Sequence, residues 1–312
     1  MRYRPVNLKG LRTYSIKERR SKVRKEFLAK PYRKGSGLSE FISNLPDILK
    51  AKELRELARA IVEARRAQRP VILGMGAHVI KVGLSPVIND LINREIITAI
   101  ATNGACVIHD FELAYAGHTS EDVSEEIKTG MFGMAKETGL YLNKAIKEGA
   151  KKGTGIGRAV GELIEKKRLP NRELSIFRTA YLKAIPATVH VAIGTDIIHM
   201  HPSADGASIG KASLTDFRLF CSVVSDLEGG VYINLGSAVI MPEVFLKAIT
   251  IARNLGYRVQ NITTANMDFI QHYRPRENVL IRPTNLGGRF FAITGHHEIM
   301  VPLLAAMIIE EI

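Results

Sequence analysis

The chain has 312 residues, 46% of them hydrophobic, with few aromatics and no tryptophan. That is enough apolar material for one large α/β domain, or two small ones, around an aliphatic interior. Two cysteines make no disulfide framework and point to a reducing, cytoplasmic setting. No run of about 18 apolar residues is free of charge, which argues against a membrane span.

The net charge of +13 is unevenly placed: residues 1–34 hold 13 Lys or Arg against only Glu18 and Glu26, leaving +2 for the rest. A basic arm can bind a polyanion, but no nucleic-acid module accompanies this one. The preferred reading is an arm that packs on a neighbouring subunit. It has no apolar core of the kind a targeting peptide needs.

In chain order, Thr13 to Glu18 resembles a capping box that opens a basic helix through about residue 29. Pro31 to Gly37 then breaks it. Apolar residues at helical spacing run from Phe41 to Arg66. Pro70–Leu73 reads as a strand, Leu84–Asn93 as a helix and Ile96–Ala101 as a second strand, with a helix from Val107 or Ile108. Helices follow over Ser120–Ile127, Phe132–Gly149, Ile156–Lys167 and Ser175–Ala184. Strands at Val189–Ile193, Val231–Leu235, Arg258–Thr263 and Arg289–Thr294 alternate with helices at Asp216–Val224, Pro242–Leu255 and Pro302–Ile309. The alternation predicts an α/β fold, a doubly wound and mostly parallel Rossmann-like sheet over 66–312. A helical insert occupies about 120–185, and a basic helical extension covers 1–65.

Polar clusters at strand ends mark where such sheets bind ligands. Gly74-Met75-Gly76-Ala77-His78 follows the first strand, where glycines let the backbone turn close to a bulky anion. Val79 replaces the third glycine of the dinucleotide spacing. Thr102-Asn103-Gly104 ends the second strand and suits contacts to ribose or phosphate. Asp110 and Glu112, two apart on a helix, make a poor acid/base pair. Gly153-Thr-Gly155-Ile-Gly157 lacks the strand and Lys-Ser/Thr of a phosphate loop and reads as a hinge between helices. His199-Met-His201 with Asp205 could offer metal ligands, although Pro202 bends the chain beside them. In Asp205-Gly206-Ala-Ser208-Ile-Gly210-Lys211 the acid, Gly206 and Ser208 could hold a sugar hydroxyl, and Lys211 could neutralise a phosphate.

Taken together, Ile72–Ile80, Ala101–Asp110, Gly155–Gly161, Arg168–Asn171, Ala204–Gly210 and Asn234–Ile240 resemble deoxyhypusine synthase. In that family an NAD-dependent enzyme oxidises spermidine and passes its aminobutyl group, through an imine on an enzyme lysine, to a lysine of a translation factor precursor. The resemblance implies NAD as cofactor, with Thr102, Gly104, Asp205 and Gly206 lining its pocket and Gly74 and Ala77 forming the first turn. It also implies a homotetramer, or at least a dimer, with sites between subunits.

Several departures matter. Where the family has serine-tryptophan-glycine-lysine, this chain has Asn285-Leu286-Gly287-Gly288, followed by Arg289. An arginine stays protonated and forms no imine. The active-site histidine is absent near Met241-Pro242. Gln271–Arg276 carries two arginines in place of an aspartate-rich loop, which favours an anionic substrate. The leading expectation is a deoxyhypusine synthase-like, NAD-binding protein acting on an unidentified small molecule without deoxyhypusine transfer. If active, it would be a transferase or oxidoreductase. His201 and His297 would move a proton, supported by Lys211, while His199, His296 and Arg289 contact substrate; this reading includes no metal. The alternatives are a non-catalytic nucleotide-binding or sensing protein, and a metal-dependent hydrolase using His199, His201 and Asp205.

Overall fold

Continuous apolar strands such as Val71–Met75 and Val231–Leu235 are buried at every residue, which requires cover on both faces of a sheet. The computed structural model describes residues 3–312 and supplies that cover. Met1 and Arg2, the first residues of the expected extension, lie outside the described residues. Two units divide the chain, one up to Lys52 and one from Glu53 to Ile312, so the division falls inside a helix.

In the first unit the basic helix expected from Thr13 is not formed. Only a 3-10 turn at Lys25–Phe27 interrupts an exposed, irregular chain. Lys17, Arg19, Arg20, Lys22, Arg24 and Lys25 would repel along a helix that has no apolar stripe to bury. Helix α1 (Leu38–Asn44) follows.

The second unit begins within α2 (Leu49–Arg66). Strand β1 (Val71–Met75), helices α3 (His78–Lys81) and α4 (Ser85–Asn93), and strand β2 (Ala99–Asn103) come next. Helix α5 (Gly104–Ala116) follows, and the insert holds α6 (Val123–Thr129), α7 (Lys136–Lys152), α8 (Ile156–Lys167) and α9 (Ile176–Leu182). Then come β3 (Ala187–His190), α10 (Gly206–Ser225), β4 (Val231–Leu235), α11 (Ile240–Asn254) and β5 (Thr263–Asp268). A helical passage, α12 (Tyr273–Pro275), a π-turn (Arg276–Ile281) and α13 (Arg282–Thr284), leads to β6 (Arg289–Thr294) and α14 (His297–Glu311).

All six strands are parallel, in the order β3-β2-β1-β4-β5-β6. Phe220 and Val224 of α10 and Phe245 and Ile249 of α11 bury against Ile72, Ala101 and Tyr232 on one face. On the other face, Ile61, Ile88, Leu91, Leu304 and Ile308 meet Leu73, Ile233 and Leu235.

Most elements fall close to where the sequence places them; α14 starts at His297, five residues ahead of the expected Pro302, and two others shift for local reasons. Strand β5 starts at Thr263, where the expected strand ended. The carbonyl of Val259 accepts from the Arg253 guanidinium, and Glu228 takes the N–H groups of Gln260 and Asn261, so this stretch is satisfied outside the sheet. Helix α10 starts at Gly206 rather than Asp216, because Asp205 caps it by accepting from Ala207 N–H. The helical passage over residues 273–284 has no counterpart among the elements expected from the sequence.

A carboxylate ties the insert to the sheet. Asp216 of α10, 1% exposed, accepts Val189 N–H of β3 at 2.9 Å and Gly157 N–H of α8 at 3.2 Å. A Cβ at Gly155 would fall 1.6 Å from its Oδ1, so that hinge position must be glycine. Burial pushes the Asp216 pKa up to about 7, against backbone donors that lower it. Asp216→Ala would leave both N–H groups buried without an acceptor, and should destabilise the fold by about 2–4 kcal/mol. Asp216→Asn keeps an acceptor and should cost less. Urea denaturation of the three proteins checks the order.

Candidate functional site

A sheet in this strand order reverses its winding between β1 and β4, and the loops leaving those strands diverge there to form a ligand crevice. Gly76 follows β1 and Gly236 follows β4. Their backbones meet: Gly76 N–H donates to Leu235 O at 3.0 Å, and a Cβ on Gly76 would stand 2.2 Å from Gly236 O. Gly236 has φ of 63°, a conformation in which glycine is favoured. Gly74 has another reason to be glycine, since a Cβ there would lie 2.2 Å from the Tyr232 hydroxyl. That tyrosine stacks on Phe245 with centroids 3.8 Å apart. Gly74 therefore makes room for core packing.

Beyond the reversal, the carboxyl ends of β5 and β6 bring His297 next to Asp268. His297 is 1% exposed, and neither ring nitrogen has a hydrogen-bond partner. Its Nε2 lies 3.7 Å from Asp268 Oδ1, and a Cβ at Gly236 would come within 2.7 Å of the same nitrogen. The ring of His78, from the turn after β1, is 5.8 Å from it, and Phe269 packs between His78 and the stacked ring of His296. Desolvation holds the His297 pKa below the ordinary imidazole range, and the Asp268 charge opposes that shift.

A chain of amides fixes this edge. Asn234 Nδ2 of β4 donates to Asn266 Oδ1 of β5 at 2.7 Å, and Asn266 Nδ2 donates to Gln271 Oε1 at 2.7 Å. Gln271 Nε2 then donates to Ile293 O of β6. Asp268, Asn266 and Asn234 were not singled out as functional in the sequence. Their signal was a run of polar residues inside strands that are otherwise wholly buried.

At the β2 end the expected cofactor residues have structural partners. Thr102 is fully buried and donates to Thr188 O at 3.3 Å, and Asn103 caps α5 by accepting from Cys106 N–H. Gly104 lies under Asp196, whose Oδ2 would be 1.9 Å from a Cβ there. Burial raises the Asp196 pKa to about 6. His199 Nδ1 accepts the N–H groups of Gly194 and Asp196, and its Nε2, 3.8 Å from Asp196 Oδ2, has no partner.

The remaining expected residues do not converge here. Asp205 accepts from Ser208 Oγ at 2.7 Å as part of the α10 cap that begins at Gly206, and Lys211 lies exposed on that helix. His201 Nδ1 sits 2.7 Å from Ser203 Oγ, and the ring packs over Gly139 of the insert. Arg289 starts β6, at the opposite edge of the sheet, with Thr263 Oγ1 and Glu63 as partners. A metal centre at His199, His201 and Asp205 is not formed. Among the described residues no group of three His, Cys, Asp or Glu side chains could hold an ion.

No protein-family profile matches the chain, and no curated protein matches it in sequence. Solved structures share its fold. A conserved Methanococcus maripaludis S2 protein, provisionally assigned as LOR/SDH, has a TM-score of 0.52 at 17% identity, over 85% of this chain and 71% of its own. AgrE, in a ternary complex with ornithine and NAD+, has a TM-score of 0.52 at 12% identity over 83% of this chain. Only 33% of AgrE is covered, so the present chain spans about a third of that protein. A provisionally assigned deoxyhypusine synthase from Entamoeba histolytica has a TM-score of 0.51 at 12% identity, over 90% of this chain and 96% of its own. At these identities the fold is what is shared: a six-stranded, all-parallel α/β sheet of Rossmann-like type. Among the described residues no helix is long and apolar enough to cross a membrane.

Titration of His297 tests the edge directly. Its pKa should lie below about 6.5, and Asp268→Asn, by removing the opposing charge, should lower it further. An NMR pH titration of ring resonances reads both. A higher value in the variant would remove Asp268 from contact with the ring.

Proposed function

We propose that the chain binds NAD across the carboxyl edge of its sheet and uses the buried His297 to handle a proton of a small-molecule substrate. The observation that carries this reading is the Gly76–Gly236 contact at the winding reversal, with His297 directly beside it. Support comes from AgrE, a fold neighbour solved with NAD+. The residues suit such a ligand: close-packed glycines, an aromatic wall at Phe269, and a buried imidazole with unpartnered nitrogens.

When bound, NAD would supply a hydride acceptor. The chain's own part is positional. Phe269 and His78 would exclude water from the crevice, while neutral His297 accepts a proton that Asp268 can balance electrostatically. Its low pKa keeps it unprotonated, and so able to accept, at neutral pH.

Imine chemistry of the deoxyhypusine synthase kind is not part of this reading. Gly288 holds the position of that family's lysine, and a Cβ there would stand 2.6 Å from Ile262 O, so the site admits no side chain. The same observation favours a second reading, a protein that binds the nucleotide without turning over a substrate.

Calorimetric titration with NAD decides the first point. Saturable binding is expected, weakened about threefold to tenfold by His78→Ala, which alters an exposed ring at the edge. Arg289→Gln, at the far edge, should leave binding unchanged. No binding at millimolar NAD would end the dinucleotide reading. Spermidine with NAD and borohydride should leave no butylamine adduct by intact mass, and an adduct on any lysine would revive imine chemistry.

Assembly is a further part of the proposal. The arm exposes Val6, Leu8, Leu11, Tyr14 and Ile16 at 66–82% of their full area, beside its positive charge, and such a surface suits a neighbouring subunit. Light scattering should give a dimer or tetramer, reduced in a chain that starts at residue 35. A monomeric full-length mass would refute it.

A further inference from the structure

Away from the NAD crevice, a second cavity of about 190 Å³ lies among α3, α5, the turn that follows α5, and the loop after β3. Its polar lining is Lys81, His109, Glu112, Ser120, Glu121 and Thr195. We propose that this cavity binds a small anion carrying a neighbouring hydroxyl or amine, with Lys81 taking the anionic group and His109 Nε2 accepting the adjacent hydrogen.

The argument starts from a hydrogen-bond relay. His109 and Glu112 are one turn apart on α5 and so share a face. The chain then folds back through Gly117, at φ 77°, and Ser120, at φ 74°, a conformation rare for serine. That reversal places Thr119 Oγ1 2.5 Å from Glu112 Oε2 and 2.7 Å from His109 Nδ1. Glu112 Oε1 is occupied by Thr138 Oγ1 at 3.0 Å.

Proton counting fixes the tautomer. A carboxylate can only accept, so Thr119 donates its single proton to Glu112. The hydroxyl must then accept from His109, which requires the proton on Nδ1. Nε2 is left with its lone pair free. Burial and the neighbouring Lys81 charge lower the ring's pKa to about 4, so the imidazole is neutral at pH 7.

The relay explains the acceptor, and Lys81 explains the anion. Lys81 ends α3, is exposed to the cavity, and forms no ion pair among the described residues. Glu121, whose Oε2 accepts Gly133 N–H at 2.9 Å, also borders the space and can take a second hydrogen from an amine. Ile108, Phe132 and Ile197 supply apolar walls. The volume exceeds the ~30 Å³ share of one water molecule several times over. A hydroxy- or amino-carboxylate matches this combination of positive charge, acceptor and apolar wall, and a small phosphate ester presents the same chemistry.

Solution NMR of the full chain labelled with 15N-histidine, without NAD, tests the proposal apart from the dinucleotide reading. His109 should appear as the Nδ1–H tautomer at pH 7, and Thr119→Val should move it toward Nε2–H. Glycolate should shift its Nε2 resonance saturably, with acetate at least threefold weaker. Lys81→Met should lower glycolate affinity at least tenfold while preserving the tautomer. A saturable response to glycine keeps the proposal and selects an amino acid. One to inorganic phosphate selects a phosphate ester. An Nε2–H tautomer in the unaltered chain, no saturable shift with glycolate, glycine or phosphate up to about 50 mM, or equal affinity in Lys81→Met would each overturn it.

Discussion

Everything at the carboxyl edge depends on two glycines that touch. Because β1 lies between β2 and β4, the loops after β1 and β4 leave in opposite directions, and they part from a point where Gly76 meets the carbonyl of Gly236. A side chain at Gly76 would push the strand ends apart. Gly236 in turn has no room for a Cβ against His297, so steric demands at two touching glycines set both the strand ends and the place of the imidazole beside them. Tyr232 imposes a parallel demand on Gly74 one layer deeper, where the cause is core packing. Two glycines of one short motif, on either side of Met75, thus answer to different neighbours.

Rigidity at this edge comes from amides. Asn234, Asn266 and Gln271 join three strands through side-chain bonds that add to the ladder, and buried amides hold such geometry only when satisfied. Asn234 Oδ1 is nevertheless unpartnered, as are both nitrogens of His297. Unsatisfied buried groups cost stability. Three such atoms lie beside the winding reversal, where Asn266 and Gln271 are satisfied by their neighbours.

The fold was legible because its strands carry it. Val231–Leu235, Arg289–Thr294 and Ile156–Lys167 lie where apolar runs and helical spacing put them. The arm was misread for an equally physical reason, since Thr13 and Glu18 make a capping signal only where a helix has a face to bury. Site residues were harder. His297 was visible as a histidine at a strand end, and His78 as part of the glycine turn. Asp268 and Thr119 have no local signature, because their roles come from neighbours distant in space or folded back by a turn. Asp205 and Thr102 show the converse: strong local patterns whose side chains already have partners in a helix cap and a strand contact.

The buried titratable groups make stability depend on pH in two opposite directions. Burial raises the pKa of Asp110 and Asp216 to about 7 and of Asp196 to about 6. Each holds its proton in the folded state to a higher pH than when unfolded, so its contribution is greatest in acid and declines as pH climbs through the folded value. The imidazoles run the other way. His109, lowered to about 4, and His190, lowered to about 3, refuse a proton that the unfolded chain accepts near 6.5, so they destabilise the fold as pH falls below that value. His199 and His297 are shifted in the same direction. Between about pH 4 and 6.5 the two sets therefore oppose each other. A fold that kept only the buried acids would lose stability steadily across that window, and one that kept only the imidazoles would gain it. Together they let the chain bury neutral imidazoles with a shallower acid dependence than either set alone would impose.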